Sequence, residues 1–257
     1  MSTVLLNGHP TWVRVAKKRA PTLVLLHGGM SSSASLLRSI GPGLAKYYRI
    51  AAFDRRGHGR TADTAEPFHY ETMADETVAF LQHLGRPAHL VGHSDGAITA
   101  LLVAMRRPDL VRRVVAVGAN YHYSALRETP EFPMEGPVFE RWAKRYGATS
   151  PDGAAHAPIV IQKTLQLSAT EPTLTTNDLA AITVPVLVMA SDDEPFDLEH
   201  VCSLYEAIPG AELAIVPGTS HSMLKERTGA CVRIIHHFLT SPWPPATEAP
   251  IRRAPSS

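Results

Sequence analysis

The sequence has few cysteines and no metal-binding pattern. Its two cysteines among 257 residues, Cys202 and Cys231, fit neither a disulfide framework nor a zinc or CxxC spacing. Both fall in apolar periodic segments, where we expect buried free thiols. The 13 histidines are scattered without an HExxH pattern, and there is no GxGxxG phosphate loop. We therefore expect no metal and no cofactor.

The sequence also lacks an excess of either charge and any apolar run that could span a membrane. Its 25 basic and 24 acidic residues give a net charge of +1, which excludes a nucleic-acid binder that relies on overall positive charge. The longest apolar runs, such as Ala97–Met105, are far shorter than the ~20 residues of a membrane span. We expect a soluble, cytoplasmic protein with a small-molecule substrate, in an oligomeric state that the sequence leaves open.

Short β-rich segments alternate with helical ones, which predicts an α/β fold with a largely parallel sheet wrapped by helices. The strand-like segments are apolar almost throughout, as strands buried on both faces require. Eight strands are predicted, at Val4–Leu6, Trp12–Ala16, Thr22–His27, Arg49–Asp54, His89–His93, Arg113–Val117, Pro185–Ala190 and Leu213–Val216. A Thr72-x-x-Asp75 capping box predicts the start of a helix that ends at Gly85.

The alternation is interrupted between about Asn120 and Thr183, where only helical pieces are predicted. We interpret residues 120–183 as a small helical lid inserted after the sixth strand, because such insertions shape substrate pockets. Residues 1–119 and 184–239 then form one α/β core. Residues 240–257, with five prolines, are predicted to be a loose tail.

The strongest chemical signal is Gly92-His93-Ser94-Asp95-Gly96, which matches G-x-S-x-G. It follows a predicted strand and precedes a predicted helix, the context in which this motif presents a nucleophilic serine. Glycine stands at both ends of the motif because the turn is sharp. The motif predicts Ser94 as a nucleophile.

A serine nucleophile needs a base, which a third group orients. His221 lies in a loop just beyond the last predicted strand, so it should project at the same sheet edge as Ser94. His200, in a helical segment, and His236-His237, near the end of the chain, are weaker candidates. The acid is less clear: Asp192, Asp193 and Glu194 follow the seventh strand, and any of them could reach His221.

The reacting carbonyl also needs donors for its developing negative charge. One would be the backbone N–H of Asp95, directly after the nucleophile. The other would come from the His27-Gly28-Gly29-Met30 loop, with Gly29 as first choice and Met30 as the alternative. We interpret Asp54-Arg55-Arg56-Gly57-His58-Gly59 mainly as an ion-paired structural turn near the pocket.

From about Leu23 to Leu239 these motifs together resemble the α/β-hydrolase superfamily. Two segments, Ser94–Leu101 and Gly118-Ala119-Asn120, are similar to its valacyclovir-hydrolase (biphenyl-hydrolase-like) branch, whose members cleave esters that include amino-acid esters. The resemblance implies the α/β-hydrolase fold, with a mostly parallel eight-stranded sheet and a helical lid.

The resemblance also implies roles for two acidic positions. The family's acid ends a G-x-x-D turn, which corresponds to Ser191–Glu194 and favours Glu194; a slip of one residue would make Asp193 the acid. In the branch, the acidic residue after the nucleophile holds the substrate's ammonium group, and Asp95 occupies that position. The alternative is that Asp95 supports the elbow and the neighbouring loops.

We therefore expect a serine hydrolase that cleaves a small-molecule ester, thioester, amide or lactone through an acyl-enzyme. Because the nucleophile position holds Ser and not Asp, epoxide-hydrolase and dehalogenase reactions are disfavoured. Two alternatives use the same scaffold: a non-catalytic ligand-binding or receptor-like homologue, and a cofactor-free haloperoxidase or perhydrolase.

Overall fold

A computed structural model describes residues 2–128, 131–245 and 247–249 of the chain. Eight strands form one sheet in the order β1-β2-β4-β3-β5-β6-β7-β8, in which β2 pairs antiparallel with both β1 and β4 and all other neighbouring strands pair parallel. This architecture confirms the predicted α/β fold. The strands are β1 (Ser2–Leu6), β2 (His9–Val15), β3 (Thr22–Leu26), β4 (Arg49–Phe53), β5 (Ala88–His93), β6 (Val111–Val117), β7 (Val186–Asp193) and β8 (Glu212–Ser220).

Helices cover both faces of the sheet, and alternate strand residues divide between two apolar cores. In β3, Val24 and Leu26 face one core, which α3 and α4 complete, whereas Leu23 and Leu25 face the other, which α1 and α10 complete. The helices are α1 (Ser33–Arg38), α2 (Gly41–Leu44), α3 (Tyr70–Leu84), α4 (Asp95–Arg106), α5 (Gly136–Gly147), α6 (Ala157–Thr170), α7 (Thr176–Ala180), α8 (Leu198–Ala207), α9 (Met223–Glu226) and α10 (Thr228–Thr240).

Helix α3 ends where the sequence predicts but begins earlier. Gly85 closes it in the left-handed conformation at φ 69°. The predicted Thr72-x-x-Asp75 capping box is wrong, because α3 begins at Tyr70 and the side chain of its N-cap, His69, does not cap the helix. Instead, the carboxylate of Glu171, just after α6, accepts the Tyr70 N–H at 3.0 Å. A cap from a distant part of the chain leaves no local signal.

The segment between β6 and β7, here called the inserted segment (residues 118–185), contains α5, α6 and α7. Its described residues, 118–128 and 131–185, form no strand beyond two isolated bridges. Trp142 of α5 and Val160 and Ile161 of α6 pack on the same core as α3 and α4. The segment is thus attached to the sheet at its carboxyl edge. Its action as a lid stays a prediction.

Only part of the predicted loose tail, residues 240–257, belongs to the described residues, and its first residue lies in a helix. Thr240 is the last residue of α10, and Trp243 Nε1 donates a hydrogen bond to Gly210 O at 3.3 Å. Residue 246 and residues 250–257 lie outside the described residues. None of the helices that the structure describes has the length and apolar character needed to cross a membrane.

The two cysteines differ in their surroundings. Cys231 is buried, and its Sγ approaches Met223 O at 3.5 Å, as expected of a buried thiol. The prediction of a buried Cys202 is wrong, since this residue lies exposed on α8. Helix α8 buries Val201 and Leu204 and turns Cys202 to the other side.

Candidate active site

The candidate functional residues gather at the carboxyl edge of the parallel strands. Ser94 follows β5, Glu194 follows β7 and His221 follows β8, while Gly29 lies beyond the end of β3. Open α/β sheets bind ligands at this edge, because the loops after neighbouring parallel strands meet there. Ser94 and His221 both line a cavity of about 220 Å³, here called the Ser94 cavity.

Ser94 occupies a strained turn between β5 and α4. Its backbone has φ 55° and ψ −123°, a conformation that non-glycine residues rarely adopt. A Cβ on Gly92 would overlap the carbonyl of Gly96, and one on Gly96 would overlap that of Leu26. The Ser94 N–H donates to Val117 O at 2.9 Å and ties the turn to β6. The two glycines of the motif therefore have a steric cause.

His221 and Glu194 form a close pair. His221 Nδ1 lies 2.5 Å from Glu194 Oε2, and Glu194 Oε1 accepts the Ser191 N–H at 2.9 Å. Burial on its own would raise the pKa of Glu194, but the hydrogen bond and charge of His221 outweigh it and hold that pKa below its ordinary value. Gly118, at φ 61°, leaves room for the ring, since a Cβ there would lie 2.9 Å from His221 Cε1.

The other two candidate carboxylates, Asp192 and Asp193, are the last two residues of β7 and are both exposed. Asp192 is exposed and accepts the N–H groups of Gly218 and Thr219 at 2.9 and 3.1 Å. Asp193 is also exposed, and its Cα pairs with that of Ser220 after an irregularity in the β7–β8 register. Of the three, Glu194 is the carboxylate that the structure places against His221.

His93, which occupies the variable position before the serine, is a contributor that sequence reasoning missed. Its Nε2–H donates to His221 O at 2.8 Å, and the two rings lie with their centroids 4.8 Å apart. Burial, and next the charge of His221, lower the pKa of His93 to about 4. A neutral His93 therefore holds the backbone of His221, a role that G-x-S-x-G does not encode.

The loop after β3 passes directly over the elbow. A Cβ on Gly28 would lie 3.1 Å from Ser94 Cβ, and one on Gly29 would lie 2.7 Å from Asp95 Oδ2. Met30 has a positive φ of 49°, and Trp142 Nε1 of α5 donates to its carbonyl at 3.1 Å. A side chain at either glycine would therefore crowd the elbow, and the inserted segment contacts the loop.

Asp95 is held by buried groups beneath the loop. Its side chain accepts the Tyr70 hydroxyl at 3.0 Å, and its Oδ2 lies 3.6 Å from Arg55 Nη2. Only 6% of Asp95 and 1% of Arg55 are exposed. Burial lowers the pKa of Arg55, and the charge of Asp95 partly offsets this effect. Asp95 does not line the Ser94 cavity, and its charge is compensated by Arg55.

The Asp54–Gly59 turn is ion-paired, as predicted, and is joined to the loop after β3. Arg56 pairs with Glu76 at 2.8 Å, in addition to the Arg55–Asp95 pair. His27 Nε2 accepts the Arg55 N–H at 3.1 Å, so Nδ1 carries the proton and donates to Gly28 O at 2.8 Å. Burial, then the charges of Arg55 and His58, hold the pKa of His27 well below its ordinary value.

The weaker candidate bases make other contacts. His200 Nε2 accepts the Tyr121 N–H at 3.1 Å, and His236 Nδ1 lies 3.1 Å from the Tyr48 hydroxyl. His237 lies in α10, where its carbonyl accepts the Ser241 N–H at 2.9 Å. Within the described ranges, no three His, Cys, Asp or Glu side chains gather so that they could hold a metal ion.

Comparisons with known proteins give consistent results along most of the chain. A family model described as the alpha/beta hydrolase family matches residues 23–234. The magnesium-chelatase 30 kDa subunit of Rhodobacter capsulatus is 40% identical over 116 residues, which cover 44% of this chain and 40% of that protein. The match therefore spans less than half the length of that relative.

Two other relatives match over longer stretches. The putative carbamate hydrolase RutD of Caulobacter sp. (strain K31) is 27% identical over 247 residues, which cover 84% of this chain and 90% of that protein. A non-heme haloperoxidase of Rhodococcus erythropolis is 29% identical over 213 residues, with 68% and 76% covered. These two related proteins are named for different activities.

Solved structures share the fold at low identity. The enol-lactonase of Burkholderia xenovorans LB400 superposes with a TM-score of 0.73 at 19% identity, covering 93% of this chain and 100% of its own. The carboxylesterase CesB of Bacillus subtilis superposes with a TM-score of 0.67 at 22% identity, covering 93% and 90%. At this low sequence identity, both similarities show a shared fold and nothing about substrate.

Proposed function

Since the chain belongs to the alpha/beta hydrolase family, we propose that it is a serine hydrolase that cleaves a small-molecule ester through a Ser94–His221–Glu194 triad. The observation that carries the proposal is the 2.5 Å contact of His221 Nδ1 with buried Glu194, beside a serine on a strained elbow in the same cavity. Thioesters, amides and lactones react by the same steps and belong to the same substrate class.

The first half of the reaction forms an acyl-enzyme. Ser94 Oγ attacks the carbonyl carbon while its proton passes to His221 Nε2. The backbone N–H groups of Asp95 and Gly29 donate to the oxyanion, with Met30 as the alternative second donor. When the tetrahedral intermediate collapses, the alcohol leaves with the proton from His221.

The second half releases the acid. A water molecule gives a proton to His221 Nε2 and attacks the acyl carbon, and the second tetrahedral intermediate then expels Ser94, which recovers its proton. Glu194 accepts a hydrogen bond from His221 Nδ1–H throughout, so it orients the ring and stabilises the imidazolium. Its lowered pKa keeps it ionised at neutral pH for this role.

A second candidate function is perhydrolysis or cofactor-free haloperoxidase activity. The similarity to the Rhodococcus non-heme haloperoxidase favours it. The same acyl-enzyme would then be attacked by hydrogen peroxide and not by water, with His221 again accepting a proton. Turnover of the same ester with and without peroxide, with peracid as the measured product, separates the two.

We assign Asp95 to support of the elbow rather than to a substrate ammonium group. Its carboxylate contacts Tyr70 and Arg55 and lies under Gly29, so its charge is already paired. Its backbone N–H remains available as an oxyanion donor.

The proposal is tested with Ser94→Ala and a fluorophosphonate probe. Wild type should hydrolyse chromogenic esters and become labelled, and Ser94→Ala should lose both because the attacking oxygen is gone. Ser241→Ala, which changes a serine just after α10, should behave like wild type and serves as the control.

Two results would contradict the proposal. If Ser94→Ala were still labelled, another residue would be the nucleophile. If wild type bound ester ligands tightly but neither turned them over nor became labelled, the chain would be a receptor-like homologue.

A further inference from the structure

A second, larger cavity adjoins the Ser94 cavity. Its volume is about 540 Å³, and it lies between α1, the Asp54–Gly59 turn, α5 and α9. Six residues border both cavities, so the two spaces share one wall: Met30, Ser31, Ser35, Ser39, Arg145 and Lys225. A substrate attacked by Ser94 can therefore extend into the larger space, here called the basic cavity.

The lining of the basic cavity is one-sided in charge. It includes Arg38 from α1, Arg60 from the loop after β4, Arg145 from α5 and Lys225 from α9. No Asp or Glu lines either cavity among the described residues. None of these four cations forms an ion pair within the described ranges.

The carboxylates nearest the nucleophile are already paired. Asp95 lies 3.6 Å from the buried guanidinium of Arg55, and Glu194 holds His221. Asp54 is fully buried and accepts the Ser33 hydroxyl at 2.6 Å and the Arg60 N–H at 2.9 Å. An ammonium group in these cavities would meet four cations and no free carboxylate, whereas an anionic group would find complementary charge.

The uncharged part of the lining also suits an anion. Ser31, Ser35 and Thr149 contribute hydroxyl groups, which donate hydrogen bonds to oxyanions. Trp142 and Tyr146 contribute an aromatic wall from the same helix as Arg145. The cavity therefore combines donors, cations and an apolar surface, as a site for a carboxylated or similarly acidic organic group requires.

We propose that the substrate is an ester with an anionic group, such as a carboxylate, which binds in the basic cavity while Ser94 attacks the ester carbonyl. This inference rests on the proposed serine-hydrolase function. Arg145 and Lys225 are its specificity-determining residues, because they are the two cations that border both cavities. A cationic ester would be a poor substrate for the same electrostatic reason.

The test compares matched esters that differ in charge. The acyl series is 4-nitrophenyl monoglutarate, 4-nitrophenyl valerate and 4-nitrophenyl 5-aminovalerate, which are anionic, neutral and cationic. The second pair, 4-acetoxybenzoate and 4-acetoxybenzamide, places the anion on the leaving group. For wild type we expect kcat/KM to be about tenfold higher for the anionic ester than for its neutral partner in at least one set, with the cationic ester slowest.

Variants then connect the preference to the cavity. Arg145→Gln and Lys225→Gln should each lower the anionic-to-neutral ratio of kcat/KM about fivefold or more, mainly through KM. Arg19→Gln is the matched control, because Arg19 is exposed and precedes β3 at the opposite edge of the sheet. Circular dichroism of the variants checks that each one folds.

Failure of this inference can be told apart from failure of the proposed function. Equal or faster hydrolysis of the neutral or cationic esters in both sets would overturn the anionic preference and leave the serine hydrolase standing. A preference that survives both substitutions would overturn the assignment to the basic cavity. Absence of both turnover and fluorophosphonate labelling would overturn the two proposals together.

Discussion

The proposed nucleophile is positioned by residues that carry little chemistry of their own. Ser94 can adopt its strained backbone because Gly92 and Gly96 permit backbone approaches that a side chain would block. The buried strand β5 before the turn and the buried helix α4 after it hold the strain in place. Glycine at positions 92 and 96 is therefore a condition of the elbow.

The sequence predicts Ser94 as nucleophile and His221 as base, and it favours Glu194 over Asp193 as acid. Ser94 and His221 have local signals, namely a motif and a loop after the last strand. Which of the two neighbouring carboxylates lies against His221 depends on tertiary packing, including the irregular register between β7 and β8. The buried Arg55–Asp95 pair and His93 could not be predicted, because their partners are distant in the chain.

Glu194→Gln should lower kcat/KM by about 10²- to 10⁴-fold, because a neutral amide neither stabilises the imidazolium nor fixes the ring tautomer. Hydrolysis of 4-nitrophenyl esters at neutral pH measures the loss. Asp193→Asn is the matched control and should stay within about twofold of wild type, since Asp193 is exposed and Glu194 is the carboxylate against His221. The reverse order of losses would make Asp193 the acid.

At the scale of elements, the contacts between the inserted segment and the core were the least predictable. The helical pieces of the segment follow from periodicity, but not their attachment points. Asp63, in the loop before α3, accepts hydrogen bonds at 2.8 Å from His156 Nε2 and from Lys163 Nζ of α6. Glu171, at the end of α6, caps α3 in the other direction. Both contacts join residues roughly a hundred positions apart.

Asp63→Asn should destabilise the attachment of α6, by about 1–3 kcal/mol in the free energy of unfolding at pH 7. Burial would raise the pKa of Asp63, but the hydrogen bonds from Lys163 and His156 hold it below its ordinary value. The ionised form therefore stabilises the fold above the unfolded-state pKa, about 4, and this contribution is lost as the pH falls through the folded-state pKa.

Urea unfolding of wild type and Asp63→Asn at several pH values measures this difference. The two proteins should converge in the acid range. Asp109→Asn removes an exposed pair with Arg107 and should leave the free energy of unfolding close to that of wild type. A difference between Asp63→Asn and wild type that stays constant down to pH 3 would contradict the ion-pair explanation.

At the scale of the whole molecule, a near-neutral chain presents a local concentration of positive charge. The net charge is +1, yet four unpaired cations line one cavity beside the nucleophile. Composition alone therefore excludes bulk electrostatic binding but says nothing about a local field. The fold produces that field by bringing α1, α5, α9 and the loop after β4 together.

Because these cations are exposed, salt should weaken their effect. Raising NaCl from 20 to 500 mM shortens the screening length from roughly 20 Å to about 4 Å. We expect kcat/KM for the anionic ester to fall severalfold, and kcat/KM for its neutral partner to change by less than about twofold. Initial rates of hydrolysis of both esters over this range of NaCl give kcat/KM. If kcat/KM fell equally for both esters, the result would argue against attraction by the basic cavity.

Helix α5 carries both a cation of the basic cavity and the residue that holds the loop after β3. Arg145 borders both cavities, and Trp142 holds the carbonyl of Met30, while Ser94, Glu194 and His221 all lie outside the inserted segment. Under the proposed function, one determinant of the substrate's charge therefore lies on an element that contributes none of the three triad residues, whereas Arg38, Arg60 and Lys225 lie outside the inserted segment. Replacing α5 by another helix that keeps the tryptophan should alter the charge preference and leave the triad in place.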